Sequence, residues 1–347
     1  MRNYKDIIDR LRAGEAVTDA ELAFLLEGSC EIDAYLTSQA REVCDIVYGR
    51  DVYLRGLIEI SSYCKNDCYY CGIRRSNKSA ERYRLTPGEI VQTAQSGYKT
   101  GFRTFVLQGG EDPYFTDEVV ESIVRRIKES CEGCAVTLSL GERSRDSYKQ
   151  LKEAGADRYL LRHETASEEH YAMLHPDSMK LSERVRCLYD LKDLDFQVGC
   201  GFMVGSPYQT VENIVYDLRF IEKFRPHMVG IGPFIPHRDT PFRDMEAGSV
   251  SLTVRCLAIV RLMLPQVLLP ATTALGSVGT GGRVRGLSAG GNVVMPNLSP
   301  PDVREKYSLY DGKVSAGAES AEGISSLRRE LEAAGLRLSF EVGHSKM

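Results

Sequence analysis

Three cysteines lie within eight residues of the chain, at a spacing typical of metal-binding loops. Cys64, Cys68 and Cys71 form a Cys-x3-Cys-x2-Cys triplet, and thiolates grouped in this way ligate iron–sulfur clusters or zinc. A structural zinc ion needs four protein ligands, but the next cysteine is Cys131 and the first histidine is His163. The triplet therefore favours a 4Fe–4S cluster with one iron left for a small molecule to chelate. Three reduced core cysteines are the alternative, which the polar neighbours of the triplet disfavour.

Two glycines and a glutamate follow the second predicted strand as Gly109-Gly110-Glu111. A polar, glycine-rich segment at the end of a barrel strand is a candidate part of the active site. A tight turn followed by a helix-leading acid is the alternative interpretation. Ser139 ends the third predicted strand, where a hydroxyl alone is more often an ordinary satisfied polar group.

The fourth predicted strand carries two arginines, Arg158 and Arg162, and Glu164 follows it. Alternate residues of a strand share one face, so both guanidinium groups would lie inside a barrel. Unpaired charges are costly there, so these groups are expected to bind something. Arg184, in the helix that follows, could hold a carboxylate through two parallel hydrogen bonds.

Eight short apolar segments alternate with amphipathic stretches along the chain. Apolar runs of this length are typical of parallel strands that helices cover. The order predicts an α/β fold, a (β/α)8 barrel of the TIM type, because eight strands close this ring. An open, doubly wound sheet is the alternative if the strand count is wrong by one. The predicted strands cover residues 53–61, 104–108, 135–140, 158–162, 196–203, 228–233, 267–271 and 292–295.

Helix starts are marked by capping signals, of which Thr86-Pro87-Gly88-Glu89 is a complete capping box. Further helices are predicted at residues 208–225 and 251–264 and near 319–334. Within one compact domain, residues 1–50 would add helices at the N-terminal side of the barrel, residues 51–296 would form the barrel and residues 297–347 a C-terminal extension. Active sites of such barrels lie at the carboxyl ends of the strands, where the polar residues described above fall.

Charge and composition exclude several kinds of partner. The chain has 44 basic and 48 acidic residues, a net charge of −4, and no basic block, so nucleic acid is not expected as a partner. No apolar run reaches the roughly 18 residues that a membrane span needs, so no membrane partner is expected. The ten cysteines lack the arrangement of a disulfide scaffold, which indicates a reducing, cytoplasmic setting.

The cysteine triplet, placed directly after the first predicted strand, resembles the signature of the radical S-adenosylmethionine (SAM) superfamily, and Tyr70 before the third cysteine matches as well. From about residue 50 to residue 312 the chain resembles the HydE family of FeFe-hydrogenase maturases. Biotin synthase and methylornithine synthase are relatives with the same barrel. The segments that carry the resemblance are YCKNDCYYCGIRR, RYRLTPGEI, VLQGGEDPY, VTLSLGE, ADRYLLRHETA, VGIGPFIPHRDTP, LPATTALG and NVVMPN.

The resemblance implies a reaction and a set of site residues. One 4Fe–4S cluster on the cysteine triplet would reductively cleave SAM to a 5′-deoxyadenosyl radical. The substrate would be an Fe(CO)2(CN)-cysteinate complex from the sister maturase HydG, and the diiron product would pass to the HydF scaffold. An electron donor would reduce the cluster. The implied SAM contacts are Gly109, Gly110, Glu111, Glu164, Arg184 and Ile231, and the implied substrate cavity comprises Ser139, Arg158, Arg162, Thr272, Thr273, Met295, Tyr307 and Tyr310.

The chain departs from part of the family pattern. Some HydE proteins hold a second iron–sulfur cluster near the C-terminus, but no cysteine follows Cys256, so no second cluster is expected. Cys131 and Cys134 offer only two thiols and are interpreted as incidental. Two other functions stay open. Another radical SAM enzyme would act on a lysine-like or dethiobiotin-like substrate, although no further cysteine set is present for sulfur insertion; a non-catalytic iron–sulfur carrier would show no spectral response to SAM.

Overall fold

The strands of the chain form a closed parallel ring in a computed structural model, which describes residues 3–279, 281–314 and 317–347. The strands that form one continuous sheet are mostly buried and mainly apolar, as expected for parallel strands between helices and a barrel interior. The strands are β1 (Asp51–Leu54), β2 (Gly56–Ser61), β3 (Thr104–Gly109), β4 (Ala135–Ser139), β5 (Arg158–Leu160), β6 (Gln197–Cys200), β7 (Met203–Val204), β8 (Met228–Val229), β9 (Gly232–Pro233), β10 (Val293–Val294) and β11 (Arg337–Ser339).

Short pairings close the ring on the side away from the continuous sheet. The sheet has the order β2-β3-β4-β5-β6-β8; β8 then meets Leu268, and Pro270 meets β10, in isolated parallel bridges. β10 pairs with β1, and Leu57 of β2 pairs with Asn297. The predicted (β/α)8 barrel is therefore confirmed. The first, fifth and sixth predicted strands are each split in two, and the seventh is reduced to bridges.

Helices alternate with the strands and begin where the capping signals predict. The Thr86 hydroxyl accepts the N–H of Glu89 at 3.2 Å, and the Glu89 carboxylate accepts the N–H of Thr86 at 2.7 Å. The helix predicted near 319–334 begins at Ile324 instead, after two 3-10 turns. The α-helices are α1 (Tyr4–Ala13), α2 (Asp19–Glu27), α3 (Cys30–Tyr48), α4 (Pro87–Lys99), α5 (Asp117–Ser130), α6 (Arg145–Glu153), α7 (Glu168–Leu174), α8 (Leu181–Asp193), α9 (Val211–Phe224), α10 (Val250–Met263), α11 (Thr273–Val278), α12 (Gly282–Ser288), α13 (Pro301–Arg304) and α14 (Ile324–Ala333).

Three helices precede the barrel, as predicted, and they pack against its outer helices. α1, α2 and α3 all contact α10, and Arg41 of α3 donates hydrogen bonds to the carbonyl oxygens of Leu287 and Gly291 at 2.9 and 3.2 Å. The end of α3 reaches the start of the seventh predicted strand, where the Tyr48 hydroxyl donates to the carbonyl of Gln266. The division at residues 50 and 296 stays a prediction. In the described ranges, no helix combines the length and apolarity that crossing a membrane requires.

The C-terminal extension covers the carboxyl ends of the strands with residues 306–314, which we call the cover segment. The N–H of Gly72, next to the cysteine triplet, donates to the carbonyl of Leu309 at 2.9 Å. The Lys313 ammonium pairs with Glu59, a fully buried carboxylate inside the barrel. The cover segment is therefore tied both to the cysteine loop and to the barrel wall.

The last residues of the chain close the opposite end of the barrel. β11 runs parallel to β1, and the residues after it contact two buried arginines of the barrel floor. Arg55, fully buried, places Nη1 2.9 Å from the sulfur of Met228. Arg158 donates to the carbonyl of Val342 at 3.1 Å and lies 3.0 Å from Nδ1 of His344. Backbone carbonyl groups of the tail thus stabilise the buried guanidinium group of Arg158.

Candidate active site

The loop that carries the cysteine triplet runs from β2 to α4 and is anchored along its length. The N–H of Lys65 donates to the carbonyl of Glu111 at 2.9 Å. Arg74 pairs with Asp67 at 2.7 Å, which stabilises the turn that contains the second and third cysteines. The three cysteines of this loop line one wall of a single cavity.

One cavity at the carboxyl ends of the strands brings most of the predicted site residues together. Its volume is about 290 Å³, near the lower end of the range for small-molecule sites. Its lining includes thirteen of the residues predicted to hold the cluster, SAM or substrate: Cys64, Cys68, Cys71, Gly109, Gly110, Glu111, Ser139, Arg162, Glu164, Arg184, Thr272, Tyr307 and Tyr310. Residues from several strands and from the cover segment therefore meet at one place, as the barrel topology predicts.

Two glycines let neighbouring loops approach each other closely at this cavity. A Cβ on Gly110 would lie 2.1 Å from the carbonyl oxygen of Tyr63, and a Cβ on Gly141 would lie 2.0 Å from Cγ of Glu111. Oε1 of Glu111 accepts the N–H of Glu142 at 3.0 Å. The backbone around Gly141 thus both makes room for the Glu111 carboxylate and holds it at the cavity wall.

Besides Glu111, a second group of charged side chains lies just beyond the end of β5; it consists of Arg162, Glu164 and Arg184. Nη2 of Arg162 is 3.1 Å from Oε2 of Glu164. Arg184 donates through Nε to Glu142 at 2.5 Å and through Nη1 to the carbonyl of Arg162 at 2.9 Å. Glu164 has a φ of 67°, which is uncommon for a residue with a side chain. This group presents two guanidinium ions and one carboxylate to the cavity.

The regions in which this chain is similar to known proteins include these site residues. The sequence profile of the Radical SAM superfamily matches residues 58–221, which contain the triplet and the two charged groups just described. The FeFe hydrogenase maturase subunit HydE of Thermotoga maritima is 41% identical over 342 residues, which are 99% of this chain and 97% of that protein. The chain belongs to the radical SAM superfamily. It is a radical SAM enzyme and a homologue of the HydE-type maturases.

Methylornithine synthases are also similar to this radical SAM enzyme over its whole length. The 3-methylornithine synthase of Methanosarcina barkeri is 32% identical over 338 residues, covering 96% of this chain and 94% of that protein. The crystal structure of methylornithine synthase (PylB) superposes with a TM-score of 0.84 at 30% identity, covering 96% of this chain and 97% of that chain. The likeness extends beyond the barrel to the helices before it and the extension after it.

Membership of the radical SAM superfamily implies a 4Fe–4S cluster and SAM, and the cysteine donor set fits such a cluster. Burial, with the neighbouring thiols adding to it, raises the pKa of Cys68 and raises that of Cys71 to about 12; burial also raises the pKa of Cys64. Three thiolates here need a positive partner, which the iron supplies when bound. In the part of the chain that the structure describes, no three Cys, His, Asp or Glu side chains converge on a point that would hold a single metal ion.

Three of the predicted site residues lie just outside the cavity lining. Ile231 is fully buried, and only the adjacent Gly232 reaches the cavity. The Thr273 hydroxyl donates to Glu319 at 3.2 Å because α11 begins at this residue and turns it away. Met295 packs against the apolar cluster that contains Met228, below the cavity.

The predicted position of Arg158 in the substrate cavity is corrected by the structure. Arg158 is the first residue of β5, at the end of the barrel opposite the cavity. Its guanidinium donates to the Thr104 hydroxyl at 3.2 Å and to the C-terminal tail, and burial lowers its pKa to about 10. Arg158 therefore binds the tail that closes the barrel floor.

The polar residues at the site that the sequence did not indicate include Gln108 and Glu142. Gln108 lines the cavity, and its amide donates to the Tyr307 hydroxyl at 3.5 Å. Glu142 holds Arg184 and, through its N–H, Glu111. Both stand at or just past the carboxyl end of a strand, so a search restricted to that position would have found them.

Proposed function

We propose that this radical SAM enzyme holds one 4Fe–4S cluster on Cys64, Cys68 and Cys71 and binds SAM beside it. When bound, the cluster supplies the electron that cleaves SAM to methionine and a 5′-deoxyadenosyl radical. The chain's own contribution is a loop fixed by backbone hydrogen bonds and a cavity that limits the access of water. Because no cysteine follows Cys256, we propose no second cluster.

The charged groups of the cavity wall fit the methionine part of SAM. The Glu111 carboxylate, held by the N–H of Glu142, would accept hydrogen bonds from its ammonium group. Glu164 and Arg184 would complete the SAM site, with Arg184 offering a guanidinium to the carboxylate. Gly109 and Gly110 leave the backbone open to the ligand, while buried Ile231 would support the wall without touching SAM.

Gly141→Ala is expected to weaken SAM binding about tenfold, the effect of losing about 1.4 kcal/mol. The new Cβ would lie 2.0 Å from Cγ of Glu111, so the carboxylate must leave its place. Gly133→Ala is the matched control, since Gly133 has a similar φ of +67° and a Cβ added there would meet nothing within 4 Å. Both variants carry the cost of a left-handed alanine, and only Gly141→Ala should change the SAM dissociation constant. Equal SAM affinity in the two variants would exclude Glu111 from the site.

We further propose that the substrate is the iron–cysteinate complex carrying carbon monoxide and cyanide. The observation that carries this proposal is the 41% identity to the HydE maturase over 99% of the chain. Arg162 supports it, because its guanidinium lines the cavity and its buried Nε has no hydrogen-bond partner. A cysteinate carboxylate or an anionic iron complex would satisfy this donor. Ser139 and Thr272 add hydroxyl groups to the same lining.

The likeness to methylornithine synthases favours a second candidate, a carbon-skeleton rearrangement of a lysine-like substrate. Free lysine carries two ammonium groups, and each requires an acceptor when it is buried. Among the described residues that line the cavity, the carboxylates are those of Glu111 and Glu164, which we assign to SAM. This lining therefore offers a lysine-like substrate no carboxylate of its own and favours the maturase reaction.

Partners and compartment follow from the maturase proposal. The substrate would come from HydG, the diiron product would pass to HydF, and an external donor would supply electrons. Tyr307 and Tyr310 of the cover segment lie over the cavity, where they would shield the reacting centre from water. The ten free cysteines suit a reducing, cytoplasmic compartment.

Anaerobic reconstitution followed by measurement of 5′-deoxyadenosine tests these proposals. The iron–cysteinate complex is expected to raise the rate of SAM cleavage about tenfold or more over the rate without substrate, because substrate binding assembles the reactive arrangement. L-lysine and dethiobiotin should leave the rate at its background. Stimulation by L-lysine instead would favour the methylornithine type of reaction. A reduced cluster whose spectrum does not respond to SAM would indicate an iron–sulfur carrier.

A further inference from the structure

His163 and Asp217 form a buried polar pair next to the cavity but outside its lining. Both side chains are fully buried, and Nε2 of His163 lies 3.2 Å from Oδ1 of Asp217. Nδ1 of His163 accepts the N–H of Gly201 at 3.3 Å, so a neutral ring carries its proton on Nε2, which lies beside Asp217 in a close contact that is not aligned as a hydrogen bond. Neither residue has a role in the proposed binding of cluster, SAM or substrate.

The pair fastens the chain on both sides of Glu164. Oδ1 of Asp217, which contacts His163, also accepts the N–H of Ala166 at 2.5 Å. One carboxylate oxygen from α9 therefore contacts the residue before Glu164 and the second residue after it. From the other direction, the carbonyl of Gly201 accepts the N–H of Glu164 at 3.0 Å, while the N–H of Gly201 is held by His163.

These contacts hold Glu164 in a backbone conformation that it would not keep without them. The φ of Glu164 is 67°, and a residue with a Cβ avoids the left-handed region unless its surroundings impose it. If the turn relaxed, Glu164 would return to an extended conformation and its side chain would leave the cavity wall. Conformations of this kind concentrate at functional sites, where the surrounding structure maintains them.

We propose that His163 and Asp217 are positioning residues for SAM, which hold Glu164 in the left-handed conformation that keeps its carboxylate in the cavity. This inference rests on the proposed function, because it takes Glu164 to be a SAM contact. The two residues would act on SAM affinity through Glu164 and would not touch SAM themselves.

The electrostatics of the pair suit this role. Burial lowers the pKa of His163 to about 3, an effect that Arg162 and Arg184 reinforce and Glu164 opposes. Burial also raises the pKa of Asp217. His163 therefore stays uncharged and does not compete with SAM for the Glu164 carboxylate.

Two variants at Asp217, compared in the reconstituted holoenzyme, test the proposal. Asp217→Leu removes the oxygen that His163 and Ala166 share, and it is expected to weaken SAM binding about tenfold, the usual scale for groups that orient a ligand contact. Its KM for SAM should rise in parallel, with kcat at saturating SAM unchanged. Asp217→Asn keeps an oxygen at that position and should bind SAM as the wild type does. The readout is the SAM dissociation constant, from the spectral change of the reduced cluster during SAM titration.

A packing variant on the same helix separates positioning from general stability. Val215, on α9 and buried, lies two residues from Asp217 and therefore on a different face of the helix, beside α2, so Val215→Ala should lower the melting temperature and leave SAM affinity unchanged. The proposal is overturned if Asp217→Leu binds SAM like the wild type, or if Val215→Ala weakens SAM binding equally. Should Asp217→Leu not fold, His163→Asn takes its place, since its side-chain oxygen can still accept the N–H of Gly201 while the Asp217 contact is lost; it should show the same tenfold loss. Absence of saturable SAM binding in the wild type would reject the proposed function itself, which is a different result.

Discussion

Cys68→Ser is expected to lower SAM cleavage by roughly a thousandfold or more, equivalent to about 4 kcal/mol in activation free energy. Cys68 lines the same cavity as Cys64 and Cys71, and a cluster with three thiolate ligands has none to spare. A serine hydroxyl stays protonated at neutral pH and is a hard donor that iron–sulfur clusters do not favour. Iron and acid-labile sulfide per chain, together with the yield of 5′-deoxyadenosine, measure the effect.

Cys30→Ser is the matched control for this experiment. Cys30 is an exposed free thiol at the start of α3, outside the cavity, so its loss should change neither the iron content nor SAM cleavage. The pair of variants separates loss of a ligand from a general effect of removing a thiol. Normal SAM cleavage by Cys68→Ser would show that the cluster is held elsewhere.

The barrel could be predicted because its determinants are local in sequence. All six residues of β2 are buried, and short, mainly apolar runs of this kind, alternating with amphipathic helices, are typical of parallel strands. The cysteine triplet is equally local, since its ligands lie within one loop. The prediction of the seventh strand was less accurate, because residues 267–271 contain the right side chains but form only isolated bridges at Leu268 and Pro270. Hydrogen-bond register depends on the neighbouring strands, which a single segment does not specify.

The wrong prediction for Arg158 shows that a sequence pattern does not specify where along the barrel axis a strand residue lies. Period-two alternation predicts that Arg158 and Arg162 share a face, but it does not give their height along the barrel. Four residues of strand span about 13 Å, at about 3.3 Å per residue, so one arginine lies at the floor and the other at the mouth. Because β5 ends at Leu160, Arg158 lies at the floor and Arg162 at the mouth. The end of a strand depends on its pairing with neighbouring strands, which the sequence of one segment does not give.

The contacts that orient the site join residues far apart in the chain. Glu142 holds Arg184, Glu59 holds Lys313, and Asp217 holds the N–H of Ala166. None of these pairs falls within one helix or one turn, so no local spacing indicates them. They arise because the barrel gathers the ends of separate strands at one side. Sequence patterns therefore found the groups that carry the chemistry more readily than the groups that position them.

Arg162→Gln is expected to raise the KM for the iron–cysteinate substrate about 10- to 100-fold, since a hydrogen bond to a charged group contributes about 1.5–3 kcal/mol. Arg162 lines the cavity with an unpartnered buried Nε, and glutamine supplies neither its charge nor its two parallel donors. SAM cleavage without substrate should fall less, because Glu111 and Arg184 remain in place although Glu164 loses its ion pair with Arg162. The measurement is 5′-deoxyadenosine formation as a function of substrate concentration at saturating SAM.

Arg158→Gln makes the same chemical change four residues away on the same chain segment, and it should leave the KM unchanged. Its guanidinium contacts Thr104 and the tail residues Val342 and His344, so its loss should instead speed hydrogen exchange in residues 340–345. An equal rise in KM for both variants would place Arg158 in the substrate cavity after all. A normal KM in Arg162→Gln would mean that the anionic substrate is held by other donors. Because the two arginines lie four residues apart on one segment and undergo the same substitution, a difference in KM between the two variants would follow from the opposite ends of the barrel that they occupy, Arg162 at the cavity and Arg158 at the floor.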